Sequence, residues 1–164
     1  AGRMLRLFTF LPRAEIEALD RATTAQAAAR DAQRALARDV TRRVHGDAAL
    51  AAVEQVSQLL FGKGDPRALS EGALALLAGE IPVFRWEAPP PRDTAGLLEV
   101  ISAGKEALFK SKGEAKRALE QGGLYLNGER LGTEKREISP AEFLPGNRLL
   151  VRKGARNYGL VVVG

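Results

Sequence analysis

From Pro12 to Gly79 the apolar residues recur at three- and four-residue spacing among many alanines, a period near 3.6 that predicts helices and no strands. Pro12 opens a first helix to about Arg21, with Ile16 and Leu19 on its inner side. A second, from about Ala25 to His45, carries Ala32, Leu36, Val40 and Val44 as one stripe, and Gly46 ends it. Asp47 is suited to cap a third helix to about Phe61 that turns Leu50, Val53, Val56 and Leu60 inward. Ser70 is followed three residues on by Ala73, without the acid of a reciprocal cap. Leu74, Leu76 and Leu77 still predict a short fourth helix.

The pattern then changes. Ile81 to Glu87 alternates apolar and polar residues and runs into Pro89-Pro90-Pro91, which forbid helix, so a short strand and a stiff linker over 81–91 are expected. The strand can pair with either half. Leu97, Leu98, Val100 and Ile101 mark a helix after Thr94, and Ser111-Lys112-Gly113-Glu114 has the form of a capping box opening another. Gly122-Gly123 should end that helix, glycine taking the left-handed conformation without a Cβ clash. Leu124-Tyr125-Leu126 followed by Asn127-Gly128 predicts a hairpin. Leu149 to Val151 and Leu160 to Val163 add two strands around the basic loop Arg152-Lys153-Gly154-Ala155-Arg156. The expected class is α+β: an all-α domain over 1–80, the linker, and over 92–164 two helices on a small, mostly antiparallel sheet.

Composition narrows the chemistry. With no cysteine and one histidine, the chain has no disulfide, no thiolate zinc site and no evident nucleophile or base, so neither a metal nor a catalytic residue is expected in it. The lack of cysteine suits a reducing, cytoplasmic setting, and no apolar run reaches the roughly 20 residues of a membrane span, so no membrane partner is expected. Residues 92–164 hold 13 Lys+Arg against 9 Asp+Glu, while 1–91 hold 12 against 11, which directs a polyanionic partner to the second half. There Lys112, Lys116 and Arg117 lie opposite Ala115, Ala118 and Leu119 on the capped helix, with Lys105 and Lys110 just before it and Asn127 and Arg130 on the hairpin after it. Several cations can therefore meet one phosphate backbone. Gly113 lets that backbone approach closely.

The segment Ser111 to Leu119, followed by Gly122 to Arg130, resembles the αL (S-four-like) RNA-binding motif shared by a small-subunit ribosomal protein, pseudouridine synthases and bacterial tyrosyl-tRNA synthetases. Leu7 to Leu11, Val40 to Asp47 and Leu150 to Tyr158 are similar to the C-terminal portion of the bacterial tyrosyl-tRNA synthetases, and the match follows nearly the whole chain in order. The resemblance implies that residues 1–80 end the helical anticodon-side domain, and that 92–164 are the appended domain gripping the anticodon stem and long variable arm of tyrosine tRNA. Lys112, Lys116, Arg117, Asn127 and Arg130 map onto its RNA-facing helix and hairpin, and Arg152, Lys153 and Arg156 onto its terminal basic loop, where Ala155 replaces a usual basic residue. No signature of the ATP-binding catalytic domain occurs. ATP, magnesium and homodimerisation are thus expected of a longer parent chain, this segment being a monomeric fragment without cofactor that does not itself aminoacylate.

Other features are open to two readings. Arg30, Arg34, Arg38 and Arg42 form a four-residue ladder that fits an RNA stem or, beside Asp31 and Asp39, a solvated face. Tyr125 and Tyr158 can stack on bases or cover a core edge. Trp86 is expected to dock between domains and His45 to cap or pack at a helix end. The competing functions are an αL module of another RNA-modifying or ribosome-associated protein and a helical protein-interaction module.

Overall fold

A computed structural model of the chain describes residues 2–62, 64–87, 89–104, 107–132 and 135–164. The chain divides into two compact units, Ala1–Ala51 and Ala52–Gly164.

The first unit is helical. α1 spans Gly2–Phe8, α2 spans Arg13–Ala25, and α3, Asp31–Leu60, begins here after a short 3₁₀ turn at Ala27–Ala29. Gly46 interrupts α3 at φ 87° and ψ 170°, so the expected break falls where glycine allows it. The core is small: Leu5, Ile16 and Ala32 are buried, with Leu11, Leu19, Ala35 and Leu36 packed against them. Residues 2–8 form a helix that buries Leu5 but leaves Leu7 and Phe8 exposed. Val44, at the end of the expected stripe, is exposed as well.

The second unit is a five-stranded sheet between two helical layers. Its order is β1-β5-β4-β2-β3, from β1 (Val83–Trp86), β2 (Leu124–Leu126), β3 (Glu129–Arg130), β4 (Arg148–Lys153) and β5 (Asn157–Val163). Only β1 against β5 is parallel. α5 (Thr94–Ile101, capped by Asp93) and α6 (Lys112–Glu120) cover one face, where Leu97, Leu98, Ile101, Ala115 and Leu119 meet Leu124, Leu126, Leu149, Val151 and Val161. The end of α3 and α4 (Glu71–Glu80, capped by Ser70) cover the other, where Val56, Leu59, Leu74 and Leu77 meet Leu150, Tyr158 and Leu160. Strand side chains alternate between faces, which is why both faces of β4 and β5 are apolar.

Two expectations change. The compact units do not meet at an 81–91 linker, because residues 52–80 supply the second cover of the sheet and Val83–Trp86 is one of its strands. Trp86 packs against the α5–α6 core of its own unit, with Nε1 donating to the Pro89 carbonyl, rather than docking between domains.

Candidate nucleic-acid interface

α6 is fixed at both ends by its local sequence. At its start Ser111 Oγ accepts from the Glu114 amide at 3.2 Å. The Glu114 carboxylate does not return to the Ser111 amide as a capping box requires. Oε2 accepts from the Lys110 amide at 3.0 Å and Oε1 from Lys153 Nζ at 2.7 Å, so a long-range ion pair has displaced the local bond. These two donors, Lys153 foremost, hold the carboxyl below the usual carboxylate range. At its end Gly122 takes φ 67°, and the amides of Gly122 and Gly123 donate to Leu119 and Ala118 at 2.8 Å, the double bond of a Schellman ending. Between these anchors Ala115 and Leu119 are buried and Lys116 and Arg117 exposed.

The hairpin continues the surface. Asn127 (φ 46°) and Gly128 (φ 88°) make the two-residue turn with both φ angles positive that joins β2 to β3. Tyr125 is then paired with Arg130 on one side and Arg152 on the other, so the three side chains form a row across the sheet. The Arg152 guanidinium lies 3.8 Å from the Tyr125 ring centroid and donates to the Gly154 carbonyl. Arg130 curls around the β3 edge, donating to the Gln121 carbonyl at 3.3 Å and occupying the space a Cβ on Gly122 would need. Arg130 thus links the β3 edge to the end of α6, Arg152 lies on the sheet face opposite α6 beside Leu150 and Tyr158, and Arg156 is exposed in the β4–β5 turn.

The ten residues expected to meet RNA sort unevenly. Lys110, Lys116, Arg117, Arg130 and Arg156 are exposed and Arg152 is half-buried at the rim. Lys112 is exposed but paired with Glu99. Lys153 is half-buried, held by Glu114 and 4.4 Å from the Phe109 ring centroid, so its charge is already used. Asn127 must be corrected outright. It is 3% exposed, its Nδ2 donates to the Glu142 carbonyl at 2.5 Å and its Oδ1 accepts from the Leu150 amide at 2.9 Å, so it holds the turn to β4 and cannot reach RNA. Lys105 lies outside the described residues. Tyr158 is buried with its hydroxyl on the Leu59 carbonyl at 3.0 Å, a core-edge tyrosine. Gly113 is open: a Cβ there would meet nothing nearer than Ser111 Oγ at 3.9 Å. Glu114 is the residue sequence reasoning missed, since its partner lies 39 positions away.

What distinguishes this surface is the kind of partner its arginines have. Arg117 bonds to the Gly113 carbonyl, Arg130 to Gln121, Arg152 to Gly154 and a ring, and among the described residues no carboxylate is within ion-pair distance of these three or of Arg156. In the first unit Arg6, Arg13, Arg34, Arg42 and Arg43 all face acids. Its expected ladder starts only at Arg34, because Arg30 precedes α3 in a left-handed conformation. Arg34, Arg38 and Arg42 line a cavity of about 460 Å³ together with Glu15, Asp31 and Asp39, a balanced surface. His45 is exposed rather than packed. Among the described residues no group of His, Cys, Asp or Glu is placed to hold a metal ion, and no helix is long and apolar enough to cross a membrane.

Residues 78–161, a little over half of the chain, match the family described as Tyrosine--tRNA ligase SYY-like C-terminal domain. The chain belongs to that family. Relatives of this tyrosine–tRNA ligase family extend the likeness over almost all of the chain. It is 38% identical over 161 residues to the tyrosine–tRNA ligase of Corynebacterium efficiens, covering 98% of this chain and 37% of that protein. With the tyrosine–tRNA ligase of Anaeromyxobacter dehalogenans it shares 41% over 162 residues, 98% of this chain and 38% of the relative. A solved structure described as the solution structure of a tyrosyl-tRNA synthetase C-terminal domain is 27% identical, with 62% of this chain and 96% of that chain covered and a TM-score of 0.46. The chain thus spans somewhat more than a third of the length of the curated ligases it matches.

Proposed function

We propose that the chain is the tRNA-binding C-terminal part of a tyrosine–tRNA ligase, and that it holds the anticodon stem and long variable arm of tyrosine tRNA while another part of the enzyme aminoacylates the 3′ end. The observation that carries this reading is the set Arg117, Arg130 and Arg152, which among the described residues meet carbonyls and a ring and no acid, together with the exposed Arg156. A guanidinium without a counter-charge leaves a positive potential at the surface, and its planar donor fork suits phosphate oxygens. Membership of the ligase family supports a tRNA as the polyanion. ATP, magnesium and the dimer contact belong in this reading to the portion of the relatives outside the match, and the whole protein works in the cytoplasm. The 164-residue chain alone is therefore expected to show no tyrosine-dependent pyrophosphate exchange.

The test is equilibrium binding of the chain to transcribed tyrosine tRNA and to a tRNA with a short variable arm, over a salt series. Preference for tyrosine tRNA is expected, with log affinity falling against log salt at a slope of about −3 to −5 for roughly 4 to 6 neutralised phosphates. Equal affinity for both RNAs, or a flat salt profile, refutes the proposal.

A further inference from the structure

Glu114 places a negative charge in the first turn of the helix that carries Lys116 and Arg117, on a surface otherwise rich in uncompensated arginines. By charge alone it opposes a phosphate backbone. Its geometry indicates what it does instead. One carboxylate oxygen takes the Lys110 amide and so fixes the chain entering α6; the other takes Lys153 Nζ at the last residue of β4. The same ammonium reaches the Leu108 carbonyl at 3.4 Å and lies on the Phe109 ring. Phe109 is itself buried in the core beneath α5 and α6. Two elements far apart in sequence, the start of α6 and the end of β4, are thereby joined through a single carboxylate. Arg152 immediately precedes Lys153, and Arg156 follows in the turn.

We propose, on the reading that this surface binds RNA, that Glu114 is a positioning residue: through Lys153 it sets α6 relative to the β4–β5 hairpin so that Arg117 on the first and Arg156 in the turn of the second meet one RNA backbone together. It touches no RNA. Glu120 supplies the control, since it is an exposed acid on the same helix that takes part in no ion pair among the described residues. Removing either charge should tighten RNA binding if electrostatics alone is at work. If Glu114 positions the cations, the two changes act in opposite directions.

The experiment measures binding of the full 164-residue chain to transcribed tyrosine tRNA, at a temperature at which circular dichroism shows every variant folded. Glu120→Gln is expected to bind as tightly as the parent or up to about twofold tighter, and Glu114→Gln several-fold more weakly with a shallower salt slope, about one unit for each phosphate no longer neutralised. In a double-mutant cycle, Glu114→Gln should cause no further weakening once Lys153→Met is present, because its effect passes through that side chain. Lys153→Arg, which keeps the pair, should hold parental affinity. Glu114→Gln binding as well as Glu120→Gln overturns the positioning role, as does a weakening that persists in full in the Lys153→Met background. No binding by the unaltered chain at low salt overturns the RNA-binding reading, and this inference with it.

Discussion

The two compact units carry nearly the same charge and use it differently. Drawn at the structural boundary, residues 1–51 hold nine Lys+Arg against six Asp+Glu, and 52–164 hold sixteen against fourteen. The basic excess that pointed to the second half depends on a boundary near residue 90 and vanishes at Ala52. What survives is arrangement. Five arginines of the first unit lie against acids, and Asp39 alone takes both Arg42 and Arg43. In the second, Arg117, Arg130 and Arg152 lie against carbonyls and a ring. Net charge is therefore a poor locator of an RNA footprint in this chain, and the identity of each cation's partner is a better one.

The units also differ in how much core they own, and this contrast yields the largest expected effect. Among the described residues the first has a core of three buried hydrophobic side chains, Leu5, Ile16 and Ala32. The second buries both faces of a sheet. Residues 52–164 should fold alone with a cooperative melt. Residues 92–164 should not, because that cut removes β1 and uncovers Leu150, Tyr158 and Leu160. Three large side chains at about 1.5–3 kcal/mol each approach the whole stability of a typical domain, about 5–15 kcal/mol. Thermal melts of the two truncations decide it, and a cooperative transition for 92–164 would show the second helical layer to be dispensable.

Next in size is Asn127, which separates fold from function within the second unit. Replacing it with Ala leaves the buried Leu150 amide and the Glu142 carbonyl without partners and puts alanine at φ 46°. A cost of about 2–4 kcal/mol is expected from chemical denaturation, with RNA affinity of the folded protein unchanged. Reduced affinity at undiminished stability would return Asn127 to the RNA surface.

What the sequence disclosed and what it concealed follows the range of the interaction. The Ser70 and Ser111 caps, the Gly46 break, the Gly122 helix end and the Asn127-Gly128 turn are legible because each is settled within a few residues of chain. The Glu114–Lys153 pair, the two-sided burial of the sheet and the parallel docking of β1 on β5 are long-range, and spacing along the chain does not encode them. One clue was present. The unbroken runs Leu149-Leu150-Val151 and Leu160 to Val163 lack the polar alternation of a half-exposed antiparallel strand, which implies cover on both faces. Asn127 misled because a hairpin asparagine and an RNA-facing asparagine have the same sequence signature.

The charge comparison itself is tested by matched pairs of substitutions. Lys116 and Arg117 together changed to Ala should weaken tRNA binding by about 1–3 kcal/mol, and Arg130 with Arg152 similarly, whereas the acid-paired Arg13 with Arg34 should cost less than either, as should Arg30 with Arg34. All four pairs are compared by equilibrium binding, with melting temperatures recorded alongside. A larger loss from either first-unit pair would move the principal RNA surface to the helical unit and invalidate the partner criterion.

The smallest effect isolates close approach from charge. Gly113 lies in the first turn of α6, where glycine is a poor helix former, and its Cβ position is open to solvent, with only Ser111 Oγ at 3.9 Å. Nothing in the fold requires glycine there. Gly113→Ala should therefore raise stability by up to about 1 kcal/mol, through lower backbone entropy in the unfolded chain. If a phosphate backbone passes over that turn, the added methyl stands in its path and affinity falls a few-fold although no charge has changed and the helix is firmer. The two signs are opposite, so a melt and a binding isotherm on one variant suffice. Higher stability with unaltered affinity would place the RNA path nearer the C-terminal end of α6, beside Arg117 and Arg130, and away from its capped start.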